Sequence, residues 1–178
     1  SAKCAEAGEK LVRHPDAQVR KEAIRLFGFL KPNGNGARLI LCLSDAEESV
    51  RIAALKLLTT GQYSAPFSQW AQILSEDTFL ERPLSEKRGE YQENRATCGD
   101  EAVPYWQGLF TEWAWTNRKK KEECAVLAAE ALGKLATPAA IATLELGQKK
   151  GGAAIRQACN MALAQLHKQP KTNQPRRN

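Results

Sequence analysis

The chain has 178 residues, 43% hydrophobic and 26% charged, a globular balance at a length that suits one domain or one short repeat array. Its formal charge of +6 is concentrated in two places, an acid-free tail holding Lys168, Lys171, Arg176 and Arg177 and the run Arg118, Lys119, Lys120 and Lys121, which argues against a surface that is basic throughout. No stretch of eighteen apolar residues is present to span a membrane and no apolar signal segment follows Ser1, while the five cysteines (Cys4, Cys42, Cys98, Cys124, Cys159) are odd in number and form no CxxC pair, as expected of free thiols in a reducing cytoplasm.

Ala, Leu, Glu and Lys dominate the periodic segments, so the predicted elements are helices. A helix over residues 2–13 leads to a turn at His14-Pro15-Asp16, where Pro15 suits a first helical turn and Asp16 can cap it. The next helix opens Val19-Arg20 and runs to Leu30, and Pro32-Asn33-Gly34-Asn35-Gly36 breaks it. A helix over 36–43 passes through Ser44-Asp45 to a second opening, Val50-Arg51, and one over 65–74 precedes Lys87-Arg88. Gly99-Asp100-Glu101 begins a helix over 101–110, after which Trp113, Trp115 and the basic run 118–121 precede a helix opening at Cys124. Thr137 as N-cap and Pro138 at the first helical position start a helix over 138–146, and the last helix opens Ile155-Arg156.

The segments that open at 19, 50, 87, 124 and 155 are copies of one repeat, at intervals of 31, 37, 37 and 31 residues. Position 1 is apolar, position 5 small, and positions 8 and 9 apolar, which places one apolar face along each helix and a close-approach point at its middle. The copy at 87 is degenerate: Tyr91 replaces the small residue, and Asn94 and Arg95 replace the apolar pair. Its hairpin is therefore expected to pack least well. The pattern predicts an all-α chain, an α-α superhelix of about five helical hairpins over 2–30, 34–60, 63–98, 100–136 and 137–168. These form one array over 1–169, followed by a disordered basic tail over 170–178.

The stretch Asp45-Ala46-Glu47-Glu48-Ser49-Val50-Arg51-Ile52-Ala53-Ala54-Leu55-Lys56-Leu57-Leu58, the stretch Ala128-Ala129-Glu130-Ala131-Leu132-Gly133-Lys134-Leu135-Ala136-Thr137-Pro138-Ala139-Ala140-Ile141-Ala142-Thr143-Leu144, and the turn Gly99-Asp100-Glu101-Ala102-Val103-Pro104 together resemble bacterial HEAT repeats of the kind also found in phycobilin lyases. The resemblance covers nearly everything from Lys3 to Gln169. It implies a solenoid whose second helices line a concave face. It also implies that the position-2 arginines join an acid of the preceding turn, Asp16 for Arg20 and Asp45 for Arg51. Arg156, preceded by Lys149-Lys150-Gly151-Gly152, has no such acid.

On that face position 7 supplies Arg25, Lys56, Glu93, Glu130 and Met161, and position 3 supplies Lys21, Ile52, Gly89, Val126 and Gln157. A nucleic-acid groove needs cations along its length, whereas this ridge carries acids at its centre. The expected function is a scaffold that binds a partner protein or peptide on the concave ridge of Arg25, Lys56, Glu93 and Glu130. The alternative is a nucleic-acid-binding HEAT protein that uses Trp113, Trp115, Arg118, Lys119, Lys120, Lys121 and the tail. No catalytic, cofactor or metal site is expected. His14 and His167 stand far apart without metal-ligand spacing. HEAT folds include DNA glycosylases and bilin lyases, but no motif of either is present.

Overall fold

The computed structural model describes residues 7–8, 10–29, 36–61, 63, 65–112 and 116–168. The tail over 170–178, Cys4, Trp113 and Trp115 lie outside these residues. Every regular element described is helical: α1 (Ala17–Phe29), α2 (Gly36–Leu41), α3 (Glu48–Thr60), α4 (Phe67–Leu74), α5 (Asp77–Leu80), α6 (Leu84–Cys98), α7 (Val103–Thr111), α8 (Arg118–Leu135), α9 (Pro138–Lys150) and α10 (Ala153–Lys168). None of the described helices is long and apolar enough to cross a membrane. The chain divides into two compact units, Ser1–Cys98 and Gly99–Asn178.

In the first unit α1 packs on α3 and α3 on α6, while α2 packs on α4. The 3₁₀ turn Cys42–Ser44 and the short α5 carry the chain between these layers. The physical basis of the α3 contact is a stripe at four-residue spacing: Val50, Ala54 and Leu58 are all fully buried, and the small Ala54 lets neighbours approach. On α1 the buried set is Ala23, Ile24 and Phe27. A Cβ on Gly28 would stand 3.1 Å from Leu57 Cδ1, so α1 and α3 meet at close range.

The α6 helix departs from this pattern. Its buried residues are Glu86, Lys87, Glu90, Tyr91, Glu93 and Asn94. Glu86, Glu90 and Asn94 repeat the four-residue spacing of Val50, Ala54 and Leu58, one residue earlier than the register that starts the copy at Lys87. This copy is buried through polar side chains where the others use apolar ones. Tyr91 and Asn94 are 1% and 0% exposed, as deep as the apolar residues of the other copies. The layer closes by ion pairing, and Phe79, whose ring centroid lies 6.2 Å from that of Tyr91, fills the space beside it.

In the second unit α7 packs on α8 and α9, α9 on α10, and α8 on α10. Ala125, Ala128, Ala129 and Ala131 of α8 are completely buried, and small side chains allow neighbouring backbones to approach. A Cβ on Gly133 would stand 2.8 Å from Ala162 Cβ, and one on Gly147 would stand 2.6 Å from Cys159 Sγ and 2.7 Å from Phe110 Cδ2. Thr137 caps α9 by accepting a hydrogen bond from the Ala140 amide at 3.2 Å, with Pro138 in the first turn, as the Thr-Pro pair predicts. The basic run does not precede the Cys124 helix but forms its first turn, since α8 begins at Arg118 behind the left-handed Asn117 (φ 53°). Cations at a helix N-terminus oppose the helix dipole by a few tenths to about 1 kcal/mol each.

Candidate functional site

The position-2 arginines of the first unit act as clamps. Arg20 Nη1 donates to the carbonyls of His14 at 2.7 Å and Pro15 at 2.9 Å. Its Nε and Nη2 form a bidentate pair with Asp45 at 2.7 and 2.8 Å. Arg51 repeats the arrangement. Nη1 donates to the Asp45 and Ala46 carbonyls at 2.9 and 3.0 Å, while Nε and Nη2 grip Glu86 at 2.5 and 3.1 Å. The pairing inferred from the HEAT resemblance is thus corrected. Each arginine takes its carboxylate from the following repeat and only backbone carbonyls from the preceding turn. Asp16 serves its own turn, accepting from the Gln18 amide at 2.8 Å. A planar fork with five donors can meet two carbonyls and a carboxylate at once, which a lysine cannot.

Arg82, 31 residues beyond Arg51, continues the series into the turn before α6. Its side chain is 5% exposed, and it pairs with the fully buried Glu90 at 2.7 Å. It also stands 3.8 Å from both Glu86 and Glu76 and lies over the Phe79 ring at 5.3 Å. Lys87, 2% exposed, donates to the Leu80 carbonyl at 3.3 Å. Burial pushes the Glu90 carboxyl up to about 7, with Glu86 acting in the same direction and Arg82 and Arg51 opposing. Sequence reasoning missed this cluster. Its available signals were the equal spacing of Arg20, Arg51 and Arg82 and the Glu86-Glu90-Asn94 stripe.

The expected ridge is partly dismantled. Arg25 is open to solvent, its side chain 73% exposed and paired with Glu22 at 3.0 Å, and Lys56 is exposed as well. Glu93 is not on the surface. It is 7% exposed, and burial raises its carboxyl against the opposing influence of Thr59 of α3 and Arg95. The slipped register of α6 turns that position inward. Glu130 is half-buried on α8 in the second unit. What the first unit shows instead is a group of exposed apolar side chains on the same helices as Arg25 and Lys56. Phe29 and Leu26 of α1 are 88% and 49% exposed, and Ile52 of α3 is 48% exposed. Position 8 was expected to be buried, yet Leu26 faces out because α1 buries positions 5, 6 and 9.

Of the alternative patch, Arg118, Lys119 and Lys121 are exposed and Lys120 is half-buried. Arg118 and Lys121 line a shallow pocket with Lys150, Gly151 and Gly152, together with Glu112 and Glu122. Among the described residues no three or more His, Cys, Asp or Glu side chains are placed to hold a metal ion. Burial raises the Cys42 and Cys159 thiols to about 12 and about 11, which leaves them protonated at neutral pH. No protein-family model, no curated protein and no solved structure matches the chain.

Proposed function

We propose that the chain is a protein-interaction scaffold built of HEAT-like hairpins, and that it holds a partner peptide on the outward face of α1 and α3. The observation that carries this reading is the exposure of Phe29, Leu26 and Ile52 beside Arg25 and Lys56 on two helices that pack together. Apolar side chains ringed by charge are the composition of a protein-binding patch. Packing in each unit, first helices on first and second on second, supports the solenoid reading, in which such a face is extended and repeated. Relative to the sequence-based ridge, Glu93 is withdrawn into the interior and apolar anchors are gained beside Arg25 and Lys56, so the partner suited to it is an acidic segment with apolar side chains at helical spacing.

A peptide-display selection against the full chain tests this. Acidic peptides with two or more large apolar residues are expected to enrich, and their binding is expected to vanish in Phe29→Asp and Ile52→Asp while the helical circular dichroism is unchanged. Enriched peptides that bind these variants as well as the parent would place recognition elsewhere.

The nucleic-acid reading has its own support, the convergence of Arg118, Lys121 and Lys150 on one pocket. It predicts that oligonucleotides bind at low salt and that changing Lys119, Lys120 and Lys121 to Ala flattens the salt dependence. Absence of oligonucleotide binding at about 50 mM salt, where such contacts are strongest, would end it.

A further inference from the structure

The interior of the first unit holds a charge cluster that the scaffold reading does not use. Glu90 is 0% exposed. Its Oε1 accepts from Arg82 at 2.7 Å, but its Oε2 is buried without a hydrogen-bond partner. One turn further along α6, Asn94 is also 0% exposed. Its Nδ2 donates to Cys98 Sγ at 3.5 Å, while its Oδ1 is likewise buried and unpartnered. Residues at i and i+4 are neighbours on a helix face. Two buried acceptors in that relation lack one thing, a hydrogen, and an unpartnered buried polar atom costs about 1–3 kcal/mol.

We propose that Glu90 carries its proton in the folded protein and acts as a pH-sensitive latch: the neutral carboxyl keeps α6 docked on α3 and α4, and loss of the proton loosens α6. A protonated Oε2 is a donor on the same helix face as the Asn94 acceptor one turn away, and a hydrogen bond between them would relieve both deficits. Ionisation removes the donor and adds a buried negative charge to a cluster whose cations are already shared. Arg51 from α3 is committed to Glu86, Arg82 from the preceding turn is divided among Glu90, Glu86 and Glu76, and the buried Lys87 of α6 donates to the Leu80 carbonyl. The α4 face presents no titratable side chain between Phe67 and Leu74, so no further cation comes from that side.

The direction of the pH effect follows from the shift. Burial pushes the Glu90 carboxyl up to about 7 in the folded protein, from an ordinary 4.5. The stability it contributes is therefore complete below about 4.5 and is lost as the pH rises through about 7. Glu93, raised by burial beside Thr59 and Arg95, acts with the same sign, so the two must be separated by substitution.

The experiment uses the full chain and Glu90→Gln, which keeps the shape and supplies a permanent donor. Carboxyl-carbon NMR of the parent is expected to show Glu90 titrating near 7, and amide exchange in α6, corrected for intrinsic rates, is expected to accelerate about tenfold between pH 6 and pH 8. Glu90→Gln is expected to hold α6 protection constant over that range apart from the smaller contribution of Glu93. A Glu90 midpoint below 5, or parallel α6 profiles in the parent and the variant, overturns the proposal. If Glu90→Gln does not fold, the parent's NMR midpoint decides alone, above 6 in favour and below 5 against, and the α6 exchange profile settles a value between them.

Discussion

Arg20 on α1 grips Asp45 through two bonds of 2.7 and 2.8 Å, although Asp16 stands only four residues before it in the chain. The two side chains are 13% and 12% exposed, so the pair is screened from water and fixed by a planar geometry. Together with Arg51 and Glu86 it ties α1 to the turn before α3 and α3 to α6, and it explains why arginine and not lysine stands at both positions.

Removing one partner of such a pair strands the other. Arg51→Ala leaves Glu86, 4% exposed, facing Arg82 alone, and also frees two backbone carbonyls. The expected loss is about 3 kcal/mol, typical of a buried pair broken from one side. Asp45→Asn is expected to cost about 1–3 kcal/mol by weakening the Arg20 fork, whereas Asp16→Asn keeps its capping role and stays within about 0.5 kcal/mol of the parent. Urea denaturation ranks the three, and equal losses for the two aspartates would assign Arg20 to its local acid.

Glu93→Lys tests the corrected ridge. An exposed glutamate would tolerate the reversal with well under 1 kcal/mol of change. Glu93 is 7% exposed and lies against Thr59, so the lysine must either bury a charge or be expelled from the α3–α6 contact, at a cost of about 2 kcal/mol or more. The reading is a lowered thermal midpoint for Glu93→Lys beside an unchanged one for Lys56→Glu.

Gly147 marks a close approach between buried side chains of the second unit. Gly147→Ala puts a methyl group 2.6 Å from Cys159 Sγ and 2.7 Å from the Phe110 ring, between two buried side chains that cannot swing into solvent. Overpacking of this kind costs about 1–3 kcal/mol. Gly152→Ala, where the nearest contact is the end of the Glu122 side chain at 3.3 Å, serves as the control expected to melt near the parent.

Ala136 offers a stabilising change. It ends α8 in the left-handed region, φ 57°, with its amide bonded to the Leu132 carbonyl at 3.1 Å. That conformation costs an L-residue about 1–2 kcal/mol and glycine nothing. Ala136→Gly is expected to raise stability by about 0.5–1 kcal/mol after the added chain entropy of glycine is subtracted, and a drop in melting temperature would contradict the assigned cap geometry.

Helix content was legible in the chain because it depends on local terms, apolar period, caps and breakers. Thr137-Pro138 and the Val50-Ala54-Leu58 stripe illustrate this, and they appear where local chemistry puts them. The partners of Arg20 and Arg51 were not legible, because each arginine has an acid close by in the chain, Asp16 and Asp45, and only the packing of helices distant in sequence brings a different carboxylate into the fork. Glu93 and Glu90 were decided the same way. A helix turns about 100° per residue, so a register slip of one residue exchanges surface for interior, and nothing in an isolated α6 sequence fixes that rotation. It is fixed by α3 and by the turn that carries Arg82. Arg51 pairs with Glu86 and Arg82 donates to Glu90 Oε1, so burying these two side chains is more favourable than leaving the two guanidinium groups without acceptors inside the fold.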